Sequence, residues 1–485
     1  MNNKLSLTLL IIIGFLLRIC GLSNNHSFWM DEEHVAIFAR AIIERGKPVL
    51  ENGYSTTYYQ FIQYWLGAAS AKLFGLTELA LRFPSVIFGV LTIWAIYLFG
   101  GVVFNKKTSL LAAAITTFLT IEILWSRQAR PYQALQFLYL IGAYFVYKQS
   151  LAEKLNLKLV FGFLISGIMA LLFHTNGLIM IFSGIIYLIV CNFNQIKNVK
   201  LLAIILIVIV IPFLSNIKPF ALNFGKFNNL FYYRVFLMQN YLPLIVFSLA
   251  GISSLFIEKK YKRISIFGIF IAAQLLLISF FLRQPFTRYF YIIFPFIILL
   301  ASYGLIQIVK YVSKKLPWKF SETALMIVAI AFLGVSMKNK FVIVPQKTYS
   351  LNEDMQEIPE VDWKKTYNLV AEKLKGSPNA VLITNWNDLP IWFLGEGSLD
   401  YLVRKDSEES DPVSGAKIIN SLDKFQELIE SEKSGIIVID SWDDAVPEGI
   451  REYSRDNLKK ELEVDRLYEI QPRYWPVSVY SWGLD

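Results

Sequence analysis

Residues 5–46 read LSLTLLIIIGFLLRICGLSNNHSFWMDEEHVAIFARAIIERG, and the two halves of this stretch set how the rest of the chain is read. Leu5 to Leu22 is apolar except for Arg18 and a few small hydroxyls. That is close to the roughly 20 residues needed to cross a bilayer as a helix. No A-x-A-like cleavage site follows it, so it reads as an uncleaved first span rather than a signal peptide. Asp31, Glu32 and Glu33 come next, three consecutive acids close to lipid headgroups, where charge is costly without a partner or a task. Val35, Phe38, Ala39, Ile42 and Ile43 then share one helical face. The spacing predicts a helix over 31–45 lying in the membrane interface.

The remaining composition continues the first half of that stretch. Of 485 residues, 55% are hydrophobic and 18% charged, against about 25% charged in a typical soluble chain. The apolar residues come in runs. About eleven candidate spans emerge, at 5–22, 80–103, 108–125, 132–149, 157–173, 176–193, 199–215, 240–257, 263–282, 286–312 and 321–338. The expected fold class is therefore a polytopic α-helical membrane protein of about 11 transmembrane helices. The loops NKKTS, KQSLAEKLNLK, NQIKNVK, EKKYKR and KYVSKKLPWKFSE are basic and fall on one face, which the positive-inside rule makes cytoplasmic. The N-terminus is then cytoplasmic, in a plasma or inner membrane. The loop 23–79, the shorter outer turns and everything after Met337 are extracytoplasmic. The net charge of +9 sits largely in those cytoplasmic loops and marks membrane lipids, not nucleic acid, as the partner. Cys20 and Cys191 fall at opposite faces in this topology, so no disulfide is expected.

Residues 340–485 break the pattern, giving a division into 1–339 and 340–485. They are mixed in charge and lack a long apolar run. DWKKTYNLVAEKLKG and SLDKFQELIESEK have helical periodicity, and NAVLITNW and SGIIVIDSW read as strands. Alternating helix and short apolar strand predicts a C-terminal soluble α/β domain. It carries neither G-x-G-x-x-G nor a Walker motif. The acids of DSWDD (Asp440, Asp443, Asp444) lack EF-hand spacing and read as loop and cap residues.

The chemistry-bearing residues gather on the outer face. Asp31 suits a helix N-cap, and Glu32 and Glu33 complement the helix dipole. An acid held ionised there also meets the requirement for a general base. Tyr54, Tyr58, Tyr59, Tyr64 and Trp65 fit an aromatic interface belt, and hydroxyl-bearing rings such as Tyr58 and Tyr59 also suit a sugar. SRQARPYQAL brings Arg127, Gln128, Arg130 and Tyr132 into one turn, and LRQPFTRYFY adds Arg283 and Arg288. Arginines at an interface anchor to lipid phosphate by snorkelling. Four of them in two short outer loops suit a shared anionic ligand, because guanidinium binds phosphate bidentately and stays charged. His174, in LLFHTNGL at a third outer turn, is a further candidate. No H-E-x-x-H and no Cys/His cluster is present, so no metal site is expected from the residues.

Taken in order, FWMDEEHVAIFARAIIERGKPV, FGLTELALRFPSVIFGVLTIWAIYLFG, SRQARPYQALQFLYL and FTRYFYIIFPFIILLASYGL resemble membrane glycosyltransferases of the GT-C superfamily. The likeness covers about residues 1–310 and lies nearest the bacterial and archaeal relatives of protein O-mannosyltransferases and lipid A aminoarabinose transferases. The resemblance implies a GT-C type fold, a polyprenyl-phosphate sugar donor, and transfer on the extracytoplasmic side to a lipid, glycan or protein acceptor. It places the catalytic carboxylate in the acidic pair that matches Asp31 and Glu32. By position alone it assigns Arg127, Arg130 and Arg288 to the lipid phosphate, with Arg283, Tyr58, Tyr59, Tyr132 and His174 as neighbouring binding candidates. Many relatives carry a Pro-Pro or Pro-Leu pair where this chain has STTYYQ, Ser55 to Gln60.

The chemistry implied is an inverting, in-line displacement. Polyprenyl phosphate leaves without a general acid once its charge is neutralised, by arginines with or without a divalent ion. The acceptor hydroxyl needs one base, Asp31, with Glu32 as second base or orienting group. Two other classes remain: a lipid or glycan transporter or flippase, and a scaffold that displays the C-terminal domain. Convergence of Asp31 with the outer arginines favours the transferase. A transporter instead calls for midplane charges or broken helices.

Overall fold

The computed structural model describes residues 3–24, 27–29, 31–55, 61–191, 226–315, 321–337, 340–346, 360–405, 409–466 and 475–484. The helical part runs α1 (Asn3–Ile19), α2 (Glu32–Arg45), α3 (Phe61–Phe74), α4 (Glu78–Val103), α5 (Lys106–Phe118), α6 (Thr120–Ser126), α7 (Tyr132–Leu151), α8 (Leu157–Phe173), α9 (Gly177–Cys191), α10 (Leu230–Asn240), α11 (Leu242–Ile257), α12 (Tyr261–Phe280), α13 (Thr287–Tyr291), α14 (Phe294–Lys315) and α15 (Glu322–Ser336). Several helices start on side-chain caps. Thr77 accepts from Ala80 N, Asn105 from Lys107 N and Thr108 N, Asn156 from Lys158 N, and Ser321 from Ala324 N. Each satisfies amides that have no partner inside the helix.

The protein is a multi-pass membrane protein, but the expected eleven spans are not confirmed at that number. Among the described residues, α4, α12 and α14 are long and apolar enough to cross a membrane, and α10 with α11 adds a fourth only if a pair bent by 103° counts as one span. Helices α8, α9 and α15 are apolar but shorter. The run 108–125 splits at Leu119, which bridges to Phe341 while Phe118 O accepts from Val342 N at 2.8 Å. A returning extended segment thus takes backbone bonds that a continuous helix would have made. The run 286–312 likewise divides into α13 and α14, and 199–215 lies outside the described residues. The segment expected to be the first long loop, 23–79, contains the helices α2 and α3.

Packing among the long helices depends on small residues. A Cβ on Gly304 of α14 would lie 1.9 Å from Phe247 O of α11, and one on Gly251 of α11 would lie 2.3 Å from Leu300 O. Only glycine permits that backbone approach, which is the usual basis of tight helix pairing in lipid.

Beyond the helices come α16 (Trp363–Gly376), β1 (Val381–Thr384), α17 (Asp388–Leu394), β2 (Tyr401–Val403), β3 (Lys417–Ile419), α18 (Leu422–Ser431), β4 (Gly435–Asp440), α19 (Glu448–Asn457), β5 (Lys459–Val464) and β6 (Val477–Trp482). They form one six-stranded sheet in the order β3-β2-β1-β4-β6-β5. The first four strands are parallel, and β6 and β5 are antiparallel. β4, Gly-Ile-Ile-Val-Ile-Asp, is buried at every residue, as expected for a strand covered on both faces. One face packs Leu382, Ile436 and Val438 against α16 and α17, and the other packs Ile437 and Ile439 against Phe425 and Ile450 of α18 and α19.

Candidate active site

The acidic run 31–33 divides into three different environments. Asp31 precedes α2 with φ 63° and ψ −12° and makes no side-chain cap. The expected N-cap is therefore corrected: a left-handed backbone, uncommon outside glycine, turns the carboxylate away from the helix amides. It faces two arginines instead. Arg130 Nη2 lies 2.7 Å and Arg288 Nη1 3.6 Å from Asp31 Oδ2. The Asp31 side chain is 39% exposed, while Arg130 and Arg288 are 1% and 12% exposed. Enclosure by protein opposes ionisation of Asp31, but the Arg130 and Arg288 charges outweigh it, and the carboxyl is held below its usual range.

Glu32 turns inward. Its Oε1 accepts from Arg82 Nε at 2.8 Å and from Ala129 N at 2.6 Å, and its Oε2 from Arg82 Nη2 at 2.8 Å and Trp29 N at 2.9 Å. Both members of the pair are fully buried. Arg82 Nη2 also donates to Ser27 O. Ala129 immediately precedes Arg130, so one carboxylate fastens the start of α2 to α4 and to the turn that carries a partner of Asp31. Glu33 is buried as well. Burial, followed by the nearby Asp388 charge, pushes its carboxyl well above the ordinary range.

Of the remaining candidates, the structure brings some together and not others. Arg130 packs over the rings of Trp29 (4.9 Å) and Trp125 (5.8 Å), and Arg288 over Phe286 (3.9 Å) and Tyr289 (5.5 Å). Tyr132 and His174 form an adjacent wall, 5.5 Å apart and each 6.0 Å from Tyr289. His174 Nδ1 accepts from Asn176 N at 3.0 Å. Arg127 points elsewhere. Its Nη1 donates to Arg18 O and Cys20 O, carbonyls at the end of α1 that lack helical partners. Arg283 is exposed in the turn before α13 and makes no ion pair with Asp31. Tyr58 and Tyr59 lie outside the described residues.

Sequence reasoning missed the residues that hold this cluster. Below it, Tyr291 Oη lies 2.9 Å from Glu122 Oε2 and 2.5 Å from Gln133 Oε1, and Gln136 Nε2 donates to Glu122 Oε1 and to Tyr291 O. Trp125 stacks on Tyr291 at 5.7 Å. This buried polar node locks α13, which carries Arg288, to α6 and α7, which flank Arg130. A glutamate inside an expected span was the available signal, since such groups are seldom idle.

The sheet domain also reaches the site. α17 packs on α2: Arg40 donates to Ile391 O at 2.9 Å and to Trp392 O at 2.7 Å, and Phe28 meets Trp392 at 5.2 Å. Arg45 pairs with Glu396 at 2.5 Å, and Lys364 with Glu78 at 2.7 Å. Asp388, at the start of α17, is pushed to about 6, by burial first and also by the Asp31 charge. Among the described residues no three His, Cys, Asp or Glu side chains converge as metal ligands.

With this geometry in place, comparison with known proteins is informative. The family model for dolichyl-phosphate-mannose-protein mannosyltransferase matches residues 61–216. No curated protein matches the chain by sequence. ArnT from Cupriavidus metallidurans, solved bound to undecaprenyl phosphate, superposes with a TM-score of 0.64 at 12% identity, covering 98% of this chain and 97% of that one. The archaeal oligosaccharyltransferase AglB from Archaeoglobus fulgidus, solved with an inhibitory peptide and a dolichol-phosphate, superposes with a TM-score of 0.56 at 12% identity, covering 90% of this chain and 69% of that one. The fold is that of polytopic membrane glycosyltransferases, with a sheet-containing C-terminal region. Within that class, the chain resembles GT-C superfamily enzymes of the protein O-mannosyltransferase and ArnT kind.

Proposed function

We propose that this protein transfers a hexosyl or pentosyl group from a polyprenyl-phosphate donor to an acceptor hydroxyl on a lipid, glycan or protein, on the extracytoplasmic side of the cell membrane. One observation carries the reading: the accessible Asp31 carboxylate sits between two guanidiniums, Arg130 in the turn between α6 and α7 and Arg288 on α13. The arrangement suits a base beside a phosphate site. The convergence favours a transferase over a transporter or a scaffold. The molecules bound in the ArnT and AglB structures, undecaprenyl phosphate and dolichol-phosphate, support the donor class. The basic loops between the apolar runs support a cytoplasmic N-terminus.

In the proposed step the acceptor oxygen attacks the anomeric carbon as the bond from that carbon to the phosphate oxygen breaks, with inversion. The acceptor proton passes to Asp31. The electron pair of the broken bond remains on the phosphate, whose added negative charge meets Arg130 and Arg288. Glu32 is committed to Arg82 and two backbone amides and acts as the positioning residue. Tyr132 and His174 line the adjoining wall. Arg127 and Arg283 stand apart from the phosphate site. Among the described residues no three acidic, histidine or cysteine side chains gather, and the charge of the leaving phosphate is assigned to the arginines.

The test is purified Asp31→Asn assayed with radiolabelled undecaprenyl-phosphate-linked sugars, the product being identified by mass spectrometry. Loss of a general base costs about 10²–10⁴ in rate, and donor binding should persist. Turnover near that of the unaltered protein would remove Asp31 from the mechanism.

A further inference from the structure

A cavity of about 660 Å³ opens in the sheet domain at the carboxyl end of β4, between the β4–α19 loop, α19 and β6. Its floor includes Ile439, Val446 and Tyr480, which belong to the face covered by α18 and α19. The site is thus across the sheet from α17 and from Asp31. In sheets with parallel strands, ligand crevices form at this carboxyl edge, and the volume is in the range of small-molecule sites.

Two half-buried tryptophans, Trp442 and Trp475, line it. Other tryptophans of the domain are occupied: Trp386 Nε1 donates to Asp440, Trp482 Nε1 to Glu432 O, and Trp363 packs on Tyr367. Among the described residues, neither Trp442 nor Trp475 gives its indole N–H to a protein acceptor or lays its ring on another ring or cation. Each therefore offers an apolar face and a free donor, the two features by which an indole engages an amphipathic ligand.

The charges of the lining point to a ligand without net charge. Arg451 is taken up by Ser441 O, Asp443 O and Glu448, Lys460 pairs with Glu463, and Arg455 pairs with Asp456. Lys405 and Asp444, one of each sign, complete the set. Cations that already have carboxylate or carbonyl partners make a poorer anion site, but they leave donors and acceptors alternating around the walls. Free indole faces with alternating donors and acceptors match a polyhydroxylated ring. We propose that this cavity is a binding site for an uncharged oligosaccharide segment, separate from the Asp31 centre. On the transferase reading it holds a distal part of a glycan acceptor; the binding itself does not depend on that reading.

The experiment is saturation-transfer NMR on the full-length protein in a detergent without a sugar headgroup, such as lauryldimethylamine oxide. The probes are maltotriose, chitotriose and mannotriose, with trigalacturonate as the charged comparison. At least one neutral trisaccharide should bind. Its affinity should fall about tenfold in Trp442→Ala and in Trp475→Ala, since each loses a ring contact and a hydrogen-bond donor. Binding should be unchanged in Asp31→Asn, so that failure of the site and failure of the transferase reading are told apart. If an alanine variant does not fold, Trp442→Phe and Trp475→Phe keep a ring without the N–H and should weaken binding less. The proposal is overturned if no neutral trisaccharide binds, if trigalacturonate binds better than all three, if the tryptophan variants bind as the unaltered protein does, or if Asp31→Asn abolishes the signal.

Discussion

Asp31 and Glu32 are neighbours of like charge, and conservative replacement of each by its amide should give opposite phenotypes. The Glu32 carboxylate accepts four hydrogen bonds, from Arg82 Nε and Nη2, Trp29 N and Ala129 N, and both it and Arg82 are 0% exposed. Glu32→Gln removes the bidentate counter-ion of the buried Arg82, leaving Glu78 at 3.7 Å, and turns an NH2 toward groups that are all donors. Removing one partner of a buried pair costs about 3–5 kcal/mol. For a chain of this size that is a fall in apparent Tm on the order of 3–5 °C. Asp31 is 39% exposed and its partner Arg130 1%, so water screens the acid and the pair contributes less than a fully buried one, and asparagine accepts the left-handed backbone while keeping an oxygen for Arg130. Asp31→Asn should therefore move the apparent Tm by no more than about 2 °C while turnover falls about 10²–10⁴. Intrinsic-fluorescence melting of the purified variants, with transfer measured per folded molecule, reads both quantities. Equal melting shifts, or a larger shift for Asp31→Asn, would refute the division between a working acid and a structural one.

Three further expectations follow from the same geometry. Arg130→Ala and Arg288→Ala should each raise the apparent donor KM about 10–100-fold, the worth of a charged hydrogen bond, and Arg130→Lys should not restore it, because the planar guanidinium stacked over Trp29 is what is lost; initial rates against donor concentration check this. Arg127→Leu should lower the apparent Tm and leave donor KM unchanged, since that side chain serves α1 carbonyls. Asp388 has its carboxyl raised from 3.8 to about 6, so the folded state holds its proton more tightly than the unfolded one. Its contribution to stability therefore declines as pH rises from about 4 to 6, and melting curves of Asp388→Asn across that window should show a flatter pH dependence than the unaltered protein.

What the sequence made legible was whatever depends on local pattern. The apolar runs, the amphipathic helix after Asp31, and the strands around Val381 and Ile436 all carry their periodicity in neighbouring residues. β2 and β3 are three residues each, and β5 reads Lys-Lys-Glu-Leu-Glu-Val, too short or too charged to stand out. The break at Leu119 is set by Phe341 and Val342, more than 200 residues away. The site shows the same limit. Arg127 and Arg130 are three residues apart and look equivalent, yet one closes α1 and the other faces Asp31. Glu32 could not be separated from Asp31 without Arg82, which is 50 positions away inside an expected span. The residues were found; their partners, which decide their roles, were not.

The pairing of Asp31 with Arg130 and Arg288 raises a difficulty for a base: the charges that keep it ionised also lower its affinity for the acceptor proton. Sharing resolves it. A donor phosphate competes with the carboxylate for the same two guanidiniums, and as they turn to phosphate, Asp31 loses its stabilising charges and gains an anionic neighbour. Its proton affinity then rises in the complex, where the proton must be taken. The acid limb of kcat, which reports the bound state, should accordingly lie at higher pH than any acid limb of kcat/KM, which reports the free enzyme. By linkage, donor should bind more tightly as pH falls through that interval. Rate profiles from pH 4 to 8 in an Asp388→Asn background, which removes the group titrating near 6, measure both limbs. A kcat limb at or below that of kcat/KM would mean that the arginines stay with Asp31 when donor binds, and the proton would then need another acceptor.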